Sequence, residues 1–237
     1  MSSVLITGAS KGIGRAVAVE LAARGHRVVA TARRPEALAD LDVDQRLSLD
    51  VTDQDSVDRA LAAAGEIDVL VSNAGETVRA PLESIPLDEV ERLFRLNTLG
   101  ALRVAQGVLP AMRERGSGHL VFVSSIQGRL VLPIIGGYGA SKWALEAIAE
   151  TLAIETGHFG VNVSIVQPGA VSSGGAAGAK VFLKDDDPYA PLYAALPLLR
   201  GETVTPEEVN WDPAEKALRA RKEAPEDEPF RLAEIDW

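Results

Sequence analysis

The sequence predicts an α/β fold in which helices cover both faces of one doubly wound parallel sheet. Short runs of β-branched and aliphatic residues alternate with longer helical patterns as far as residue 166. The strand runs are apolar on both sides, which is typical of strands buried between two helical layers. With 237 residues, of which 46% are hydrophobic, the chain can bury one large core.

Local patterns place each element in order. Strands are expected at residues 4–6, 27–30, 46–49, 68–71, 119–123 and 161–166. Helices are expected at residues 12–24, 53–64, 87–115 and 138–156. Right-handed crossovers between such strands give a doubly wound, Rossmann-type sheet. Neither an internal repeat nor an interdomain linker interrupts the pattern, so we predict a single domain over residues 1–237.

Composition and charge argue against several classes of protein. The chain has no cysteine, and its three histidines lie far apart in sequence, so we expect neither a disulfide nor a metal site. The formal net charge of −10 disfavours nucleic acid and anionic membrane as partners. The sequence shows no signal-peptide pattern and no apolar run of about 18 residues, so we expect a cytoplasmic protein without a membrane partner.

A glycine-rich turn joins the first strand to the first helix. Glycines at this place let the backbone turn tightly and let a pyrophosphate approach the free N–H groups of a helix N-terminus. The spacing is Gly-x-x-x-Gly-x-Gly, because Val17 stands where a later glycine would complete the more common dinucleotide pattern. An ordinary strand–helix turn is the alternative interpretation. The residues predicted to contact a cofactor here are Gly8, Ser10, Lys11, Gly12, Ile13 and Gly14.

The end of the second strand suggests which dinucleotide would bind. NAD sites place a carboxylate about 20 residues past the glycines, where it binds the ribose 2′-hydroxyl. This chain has Ala32, Arg33 and Arg34 there, and Lys11 and Arg15 lie in the glycine turn and the helix after it. A cluster of cations in an acidic protein suits a 2′-phosphate, so we predict NADP(H), with a solvated basic patch as the alternative.

A tyrosine, a lysine and a serine form the candidate catalytic group. Tyr138 and Lys142 are four residues apart and therefore share one helix face. A lysine ammonium beside a phenol favours the phenolate, so we expect the pKa of Tyr138 to be lowered from about 10. Ser125 follows the fifth strand, at the sheet edge where such folds bind ligands, although a lone serine at such a place is more often a helix or turn cap.

Together these residues resemble the classical short-chain dehydrogenase/reductase family over roughly residues 3–173. Further motifs appear in the family's order along the chain. They are Asp50-Val51, then Asn73-Ala74-Gly75 after the fourth strand, Asn97, and Pro168-Gly169 with Val171. The resemblance implies adenine contacts for the aspartate–valine pair and nicotinamide contacts for the segment that follows the sixth strand. Ser173 would keep a hydroxyl near the carboxamide.

The resemblance also implies a mechanism. Ser125 would polarise the carbonyl oxygen, Tyr138 would donate the proton, and Lys142 would hold the nicotinamide ribose and tune the tyrosine. Asn97 would position a water that links the lysine to solvent. We therefore expect an NADP(H)-dependent carbonyl reductase or alcohol dehydrogenase that acts on a neutral, fairly apolar ketone or alcohol. In this family the long helices build an oligomer contact, so we expect a homodimer or homotetramer.

Two other functions remain open at this stage. One is an NADP(H)-binding redox sensor or scaffold that does not turn over, although such a protein has no need of all four catalytic residues together. The other is a reductase whose 3-oxoacyl substrate is tethered to a carrier protein, against which the net charge of −10 argues weakly.

The last third of the chain breaks the strand–helix rhythm. Residues 172–205 contain paired glycines, three consecutive aspartates and three prolines, and loops of this length are usually functional or disordered. Since this segment follows the last strand, we predict a substrate lid, with an ordinary surface excursion as the alternative. Residues 206–237 are a divergent, acidic C-terminal segment, in which we expect a helix start near residue 206 and a short strand at residues 230–232.

Overall fold

The predicted fold class is confirmed by a six-stranded parallel sheet with helices on both faces. The computed structural model describes residues 1–169, 171, 179–182 and 187–190. The strands of this sheet are β1 (Ser3–Ile6), β2 (Arg27–Ala32), β3 (Gln45–Ser48), β4 (Val69–Ser72), β6 (Gly118–Val123) and β7 (Val161–Val166). Their order is β3-β2-β1-β4-β6-β7, and every neighbouring pair is parallel. The short strands β5 (Val78–Arg79) and β8 (Lys180–Val181) form a separate parallel pair.

The helices agree with the predicted stretches, with one difference. They are α1 (Gly12–Ala23), α2 (Gln54–Ala64), α3 (Leu87–Leu93), α4 (Gly100–Arg115) and α5 (Gly136–Gly157). Residues 87–115 were expected to form one continuous helix, but a π-helical segment, Phe94–Leu99, separates α3 from α4. Such widened turns are rare in proteins, but those that occur often lie at functional sites. This one contains Asn97.

Alternation along the strands divides the core between the two faces of the sheet. In β1, Leu5 packs on one face with α2, α4 and α5, whereas Val4 and Ile6 pack on the other face with α1. The same division holds in β6, where Leu120 and Phe122 lie on the first face. Because both faces are covered, the central strands β1, β2 and β4 are mostly apolar between their ends, as the apolar runs predicted. The outermost strands β3 and β7 carry more polar residues, among them Gln45, Arg46, Asn162 and Ser164.

The small β5–β8 pair was not expected from the sequence. It brings residues 180–182, which belong to the predicted lid, against β5, since the Phe182 N–H donates to the Arg79 carbonyl at 2.8 Å. Phe182 then packs on a third cluster, which contains Val78, Ala80 and Tyr138. Residues 187–190 are also described, and the rest of the predicted lid and all of the C-terminal segment 206–237 lie outside the described residues.

Candidate active site

The carboxyl ends of the parallel strands converge on a cavity of about 510 Å³. This arrangement follows from the topology, because parallel strands all end at the same edge of the sheet. Most of the residues predicted to bind a cofactor line this one cavity. They are Gly8, Ser10, Lys11, Gly12, Ile13, Arg33, Asp50, Val51, Asn73, Ala74, Gly75, Tyr138, Lys142, Pro168, Gly169 and Val171, and the catalytic candidate Ser125 lines it with them.

The glycine turn is held in place by the turn that follows β4. The Asn73 side chain donates from Nδ2 to the carbonyls of Thr7 and Gly8, at 3.0 and 3.1 Å. The Thr7 hydroxyl in turn accepts from the backbone N–H groups of Asn73 and Ala74, both at 3.0 Å. Gly8 has a φ of +69°, and a Cβ there would lie 2.9 Å from the Ala74 Cα. A glycine at position 8 is therefore required by both backbone conformation and space.

Two described residues of the predicted cofactor set do not line the cavity. A Cβ at Gly14 would overlap the Asn73 amide and lie 2.6 Å from the Gly8 carbonyl oxygen, so this glycine permits close packing of α1. Arg34 is exposed and precedes the 3-10 turn Pro35–Leu38. Ser173, which also belongs to the predicted cofactor set, lies outside the described residues.

The rim of the cavity around the glycine turn is suited to anions. The first N–H groups of α1 donate to no side chain of the N-cap residue, because Lys11 carries no acceptor, and no acidic residue stands in the first turn. Such an N-terminus attracts negative charge through its free N–H groups and its dipole. Lys11 is exposed beside it. Arg15, which was expected to join this cationic cluster, instead pairs with Asp40 at 2.7 Å.

Arg33 shares the cavity rim with a carboxylate. Its guanidinium is 69% exposed and lies 3.1 Å from Glu76, whose other oxygen pairs with Arg92 at 2.7 Å. The Arg33–Glu76 pair is mostly solvated, so it is weak and can exchange partners easily. Glu76 follows the Asn73-Ala74-Gly75 turn directly and was not predicted as part of the site.

The Asp50-Val51 pair closes the cavity beyond β3. Burial works to raise the pKa of Asp50, but hydrogen bonds from Thr52 and the charges of Arg33 and Arg103 hold it below its usual value. Arg103 also donates to the Val51 carbonyl at 2.6 Å. Asp50 is therefore an ionised hydrogen-bond acceptor at neutral pH.

Ser125, Tyr138 and Lys142 face the cavity from two elements. Ser125 follows β6, and its Oγ accepts from the Gln127 N–H at 3.2 Å, so it caps a 3-10 turn as well as lining the cavity. Tyr138 and Lys142 lie one turn apart on α5, with the lysine Nζ 5.9 Å from the centre of the tyrosine ring. The lysine is 4% exposed and donates to the Val123 carbonyl at 2.8 Å.

The ionisation of these groups differs from the sequence expectation. Burial raises the pKa of Tyr138, although a side-chain hydrogen bond with Ser125 acts in the opposite direction. The expectation of a lowered tyrosine pKa is therefore wrong, because the effect of burial on the phenol dominates. The Lys142 ammonium donates instead to the Val123 carbonyl. Burial lowers the pKa of Lys142 from 10.5 to about 8, while the charge of Glu146 acts to raise it.

Asn97 supports the site from behind and does not line the cavity. Its side chain accepts from the Glu76 N–H and donates to the Glu76 carbonyl, both at 2.9 Å, and also donates to the Ser141 hydroxyl at 3.0 Å. A Cβ at Gly75 would lie 3.1 Å from the Asn97 Oδ1 and 3.7 Å from the Lys142 Nζ. The asparagine thus holds the turn after β4 against α5.

Sequence reasoning missed several residues that line the cavity. They are Leu49, Glu76, Thr77, Leu96, Ile126, Gln127, Leu132, Ile135 and Lys180. Leu132 and Ile135 lie between Ser125 and Tyr138, so their proximity in sequence could have indicated them. Lys180 gives no local signal, because it reaches the cavity only through the pairing of β8 with β5.

Among the described residues, no helix combines the length and the apolar character that crossing a bilayer requires. The same residues contain no group of three or more His, Asp or Glu side chains placed to hold a metal ion.

Comparisons with known proteins agree on one family. The model of the short chain dehydrogenase family matches residues 2–181. Human retinol dehydrogenase 8 is 41% identical over 182 residues, which are 71% of this chain and 58% of that protein. The chain thus spans less than two thirds of the length of that relative.

Solved structures match over more of the chain. A short-chain dehydrogenase from Streptomyces avermitilis is 38% identical with a TM-score of 0.78, covering 97% of this chain and 86% of that one. A candidate NAD(P)-dependent gluconate 5-dehydrogenase from Beutenbergia cavernae, solved with bound NADP, is 31% identical with a TM-score of 0.71, covering 86% and 84%.

Proposed function

This chain belongs to the short-chain dehydrogenase/reductase family, and we propose that it is an NADP(H)-dependent oxidoreductase for a neutral, fairly apolar ketone or alcohol. One observation carries the proposal: Ser125, Tyr138 and Lys142 line the same cavity as the glycine turn. A binding protein without turnover needs the glycine turn but not three convergent polar groups. Their convergence therefore favours catalysis over a sensor or scaffold.

The chain has the groups that a dinucleotide needs. The N-terminus of α1, without a side-chain cap, would hold the pyrophosphate, and Asp50 and Val51 would border the adenine. The bound nicotinamide would supply or accept the hydride, which is the cofactor's own chemistry. The glycine turn, Pro168, Gly169 and Tyr138 all line this one cavity, so one ligand could contact both the glycine turn and the catalytic group.

The protein's own part is proton transfer and orientation. Because burial raises the pKa of Tyr138, its hydroxyl keeps its proton at neutral pH and can donate it to a carbonyl oxygen. Ser125, at the neighbouring strand end, would bind that oxygen and fix its position. Lys142 is mostly charged at pH 7, since its pKa lies near 8, so it would favour the anionic tyrosine that remains.

Preference for NADP(H) rests on the end of β2. No carboxylate stands there to bind a ribose 2′-hydroxyl, and Arg33 and Lys11 both border the cavity. Arginine can bind phosphate through two parallel hydrogen bonds. Glu76 competes for the same guanidinium, so we expect a moderate preference instead of an absolute one.

The apolar substrate class rests on the cavity wall near Tyr138. Leu132 and Ile135 line it, and Phe182 packs on the cluster that contains the tyrosine. Phe182 and β8 fall within the predicted lid, and the pairing of β8 with β5 supports a role of residues 180–182 in the substrate pocket. A lid at this place would exclude water from hydride transfer. The name of the human relative, a retinol dehydrogenase, is in keeping with an apolar alcohol.

A homo-oligomer in the cytoplasm completes the proposal. Trp143 and Ile154 are exposed on α5, with 47% and 69% of their surfaces accessible, and Leu99 is 48% exposed at the end of the π-helical segment. Exposed large apolar side chains on long helices are suited to bury against a second copy. Light scattering coupled to gel filtration measures the state directly.

The decisive experiment is an assay of purified protein with ketones and alcohols of graded size, using NADPH, NADH and their oxidised forms. We expect NADPH-dependent reduction of at least one apolar ketone. Tyr138→Phe should lower kcat by about 10²–10⁴-fold, because only the acid–base hydroxyl is removed, while NADPH affinity should change little. NADPH binding without turnover on any carbonyl would instead favour the sensor function.

A further inference from the structure

Behind the cavity lies a buried carboxylate that the proposed mechanism does not use. Glu146 lies on α5 one turn after Lys142 and is only 2% exposed. A carboxylate is rarely buried so completely unless it is paired and hydrogen-bonded, because desolvation of the charge is costly. Its partners therefore show what it holds together.

Three segments meet at this carboxylate. Ser124 donates from Oγ to the Glu146 Oε1 at 2.6 Å, and Gln167 donates from Nε2 to Oε2 at 2.7 Å. Arg129 approaches the same Oε2 with its Nε at 2.6 Å. Ser124 immediately precedes Ser125, and Gln167 immediately precedes Pro168. One side chain of α5 thus joins the ends of β6 and β7 that carry the candidate catalytic and nicotinamide-facing residues.

The neighbouring loop is shaped around this contact. A Cβ at Gly128 would overlap the Glu146 Oε1 and lie 2.8 Å from the Ser124 Oγ. Glycine at position 128 therefore leaves the space in which the carboxylate and the serine hydroxyl meet. Two backbone hydrogen bonds join the same strand ends: Ser124 N–H to the Val166 carbonyl at 2.8 Å, and Ile126 N–H to the Pro168 carbonyl at 3.1 Å.

We propose that Glu146 is a positioning residue for the reaction, which holds Ser125, Lys142 and the Pro168–Gly169 stretch in register around the cavity. The proposal rests on the proposed oxidoreductase function. Glu146 does not line the cavity, so it acts only through its neighbours. Fixing reacting groups in register matters because small misplacements lower the rate strongly.

Glu146 also acts on the charge of Lys142. Among the described residues, the titratable side chains recorded around this lysine are Tyr138 and Glu146, while the Val123 carbonyl and the Gly75 backbone beside it are neutral. The negative charge of Glu146 raises the pKa of Lys142 against the effect of burial. Removing that charge should move the ionisation of Lys142 to lower pH.

The test is Glu146→Gln, with Glu150→Gln as the matched control. The glutamine keeps the volume and can still accept from Ser124, but its amide nitrogen would face the donors of Gln167 and Arg129. Glu150 is 53% exposed, lies one turn further along α5 and also pairs with Arg129, but no contact with either strand end is recorded for it. The control therefore removes the same charge from the same helix without disturbing the strand ends.

We expect Glu146→Gln to lower kcat for ketone reduction at least tenfold and to raise the Kd for NADPH several-fold, measured by NADPH fluorescence. The alkaline limb of the pH profile should move to lower pH, a shift that a purely structural role would not produce. Glu150→Gln should resemble the wild type in all three measurements. Wild-type values for Glu146→Gln would overturn the proposal.

Gln167→Ala keeps the test decisive if Glu146→Gln does not fold. It removes one neutral contact and leaves the carboxylate in place, so kcat should fall a few-fold while the alkaline limb stays where it is. An unchanged kcat would overturn the positioning role. If the wild type binds NADPH but reduces no carbonyl, the oxidoreductase proposal fails, and the NADPH Kd of the variants still decides whether Glu146 holds the site in register.

Discussion

The close contact at Gly14 allows a stability prediction that does not depend on cofactor or substrate. In Gly14→Ala the new Cβ would overlap the Asn73 amide and lie 2.6 Å from the Gly8 carbonyl oxygen. The Asn73 side chain therefore has to turn aside and lose its two hydrogen bonds, and α1 also has to move away from the Gly8 carbonyl, so the two costs add. Overpacking of this kind costs about 1–3 kcal/mol, and each lost hydrogen bond costs about 1 kcal/mol.

Alanine is the better helix former by up to about 1 kcal/mol, which offsets part of this loss. The net destabilisation is therefore about 2–4 kcal/mol, and for a domain of this size it should lower Tm by roughly 5–15 °C. Differential scanning calorimetry measures the change. Gly157→Ala is the control, because nothing lies within 4 Å of its Cβ position. It should melt within about 3 °C of the wild type or slightly above it. A Gly14→Ala protein that melts like this control would refute the close-packing argument.

Three further predictions address the cofactor, the lysine and the lid. The wild type should prefer NADPH over NADH by about tenfold in kcat/KM, which needs only about 1.4 kcal/mol. The double variant Ala32→Asp with Arg33→Ala should reverse this preference. Glu76→Gln should strengthen it, because the Arg33 guanidinium would lose its carboxylate partner. Because burial lowers the pKa of Lys142 to about 8, the unfolded chain binds more protons than the folded protein between pH 8 and 10.5, so this lysine destabilises the fold most below pH 8. Lys142→Met should therefore raise Tm at pH 7, and the gain should shrink as the pH rises through this window. Phe182→Gly should raise KM for an apolar ketone and leave the Kd for NADPH nearly unchanged, and equal kinetics would show that the lid start does not shape the pocket.

Local patterns were sufficient for the framework of the fold. Strands buried on both faces appear as apolar runs and helices as longer periodic stretches, because burial and backbone period are properties of each segment alone. The glycine turn, the Tyr138–Lys142 spacing and Ser125 at a strand end were visible for the same reason. Once the strands are parallel, their carboxyl ends must meet, so the convergence of these motifs on one edge was also predictable.

Tertiary packing decided the remaining properties, because they depend on distances between segments far apart in the chain. Gly14 was grouped with the cofactor contacts, but its Cβ position is occupied by Asn73, which lies 59 residues later. Lys180 joins the cavity rim only because β8 pairs with β5. The raised pKa of Tyr138 follows from burial, which four-residue spacing cannot specify. Glu146 lies four residues after Lys142, so helix periodicity alone places the two side chains one turn apart. Only the assembled sheet brings Ser124 and Gln167 to the same carboxylate, because these residues follow different strands.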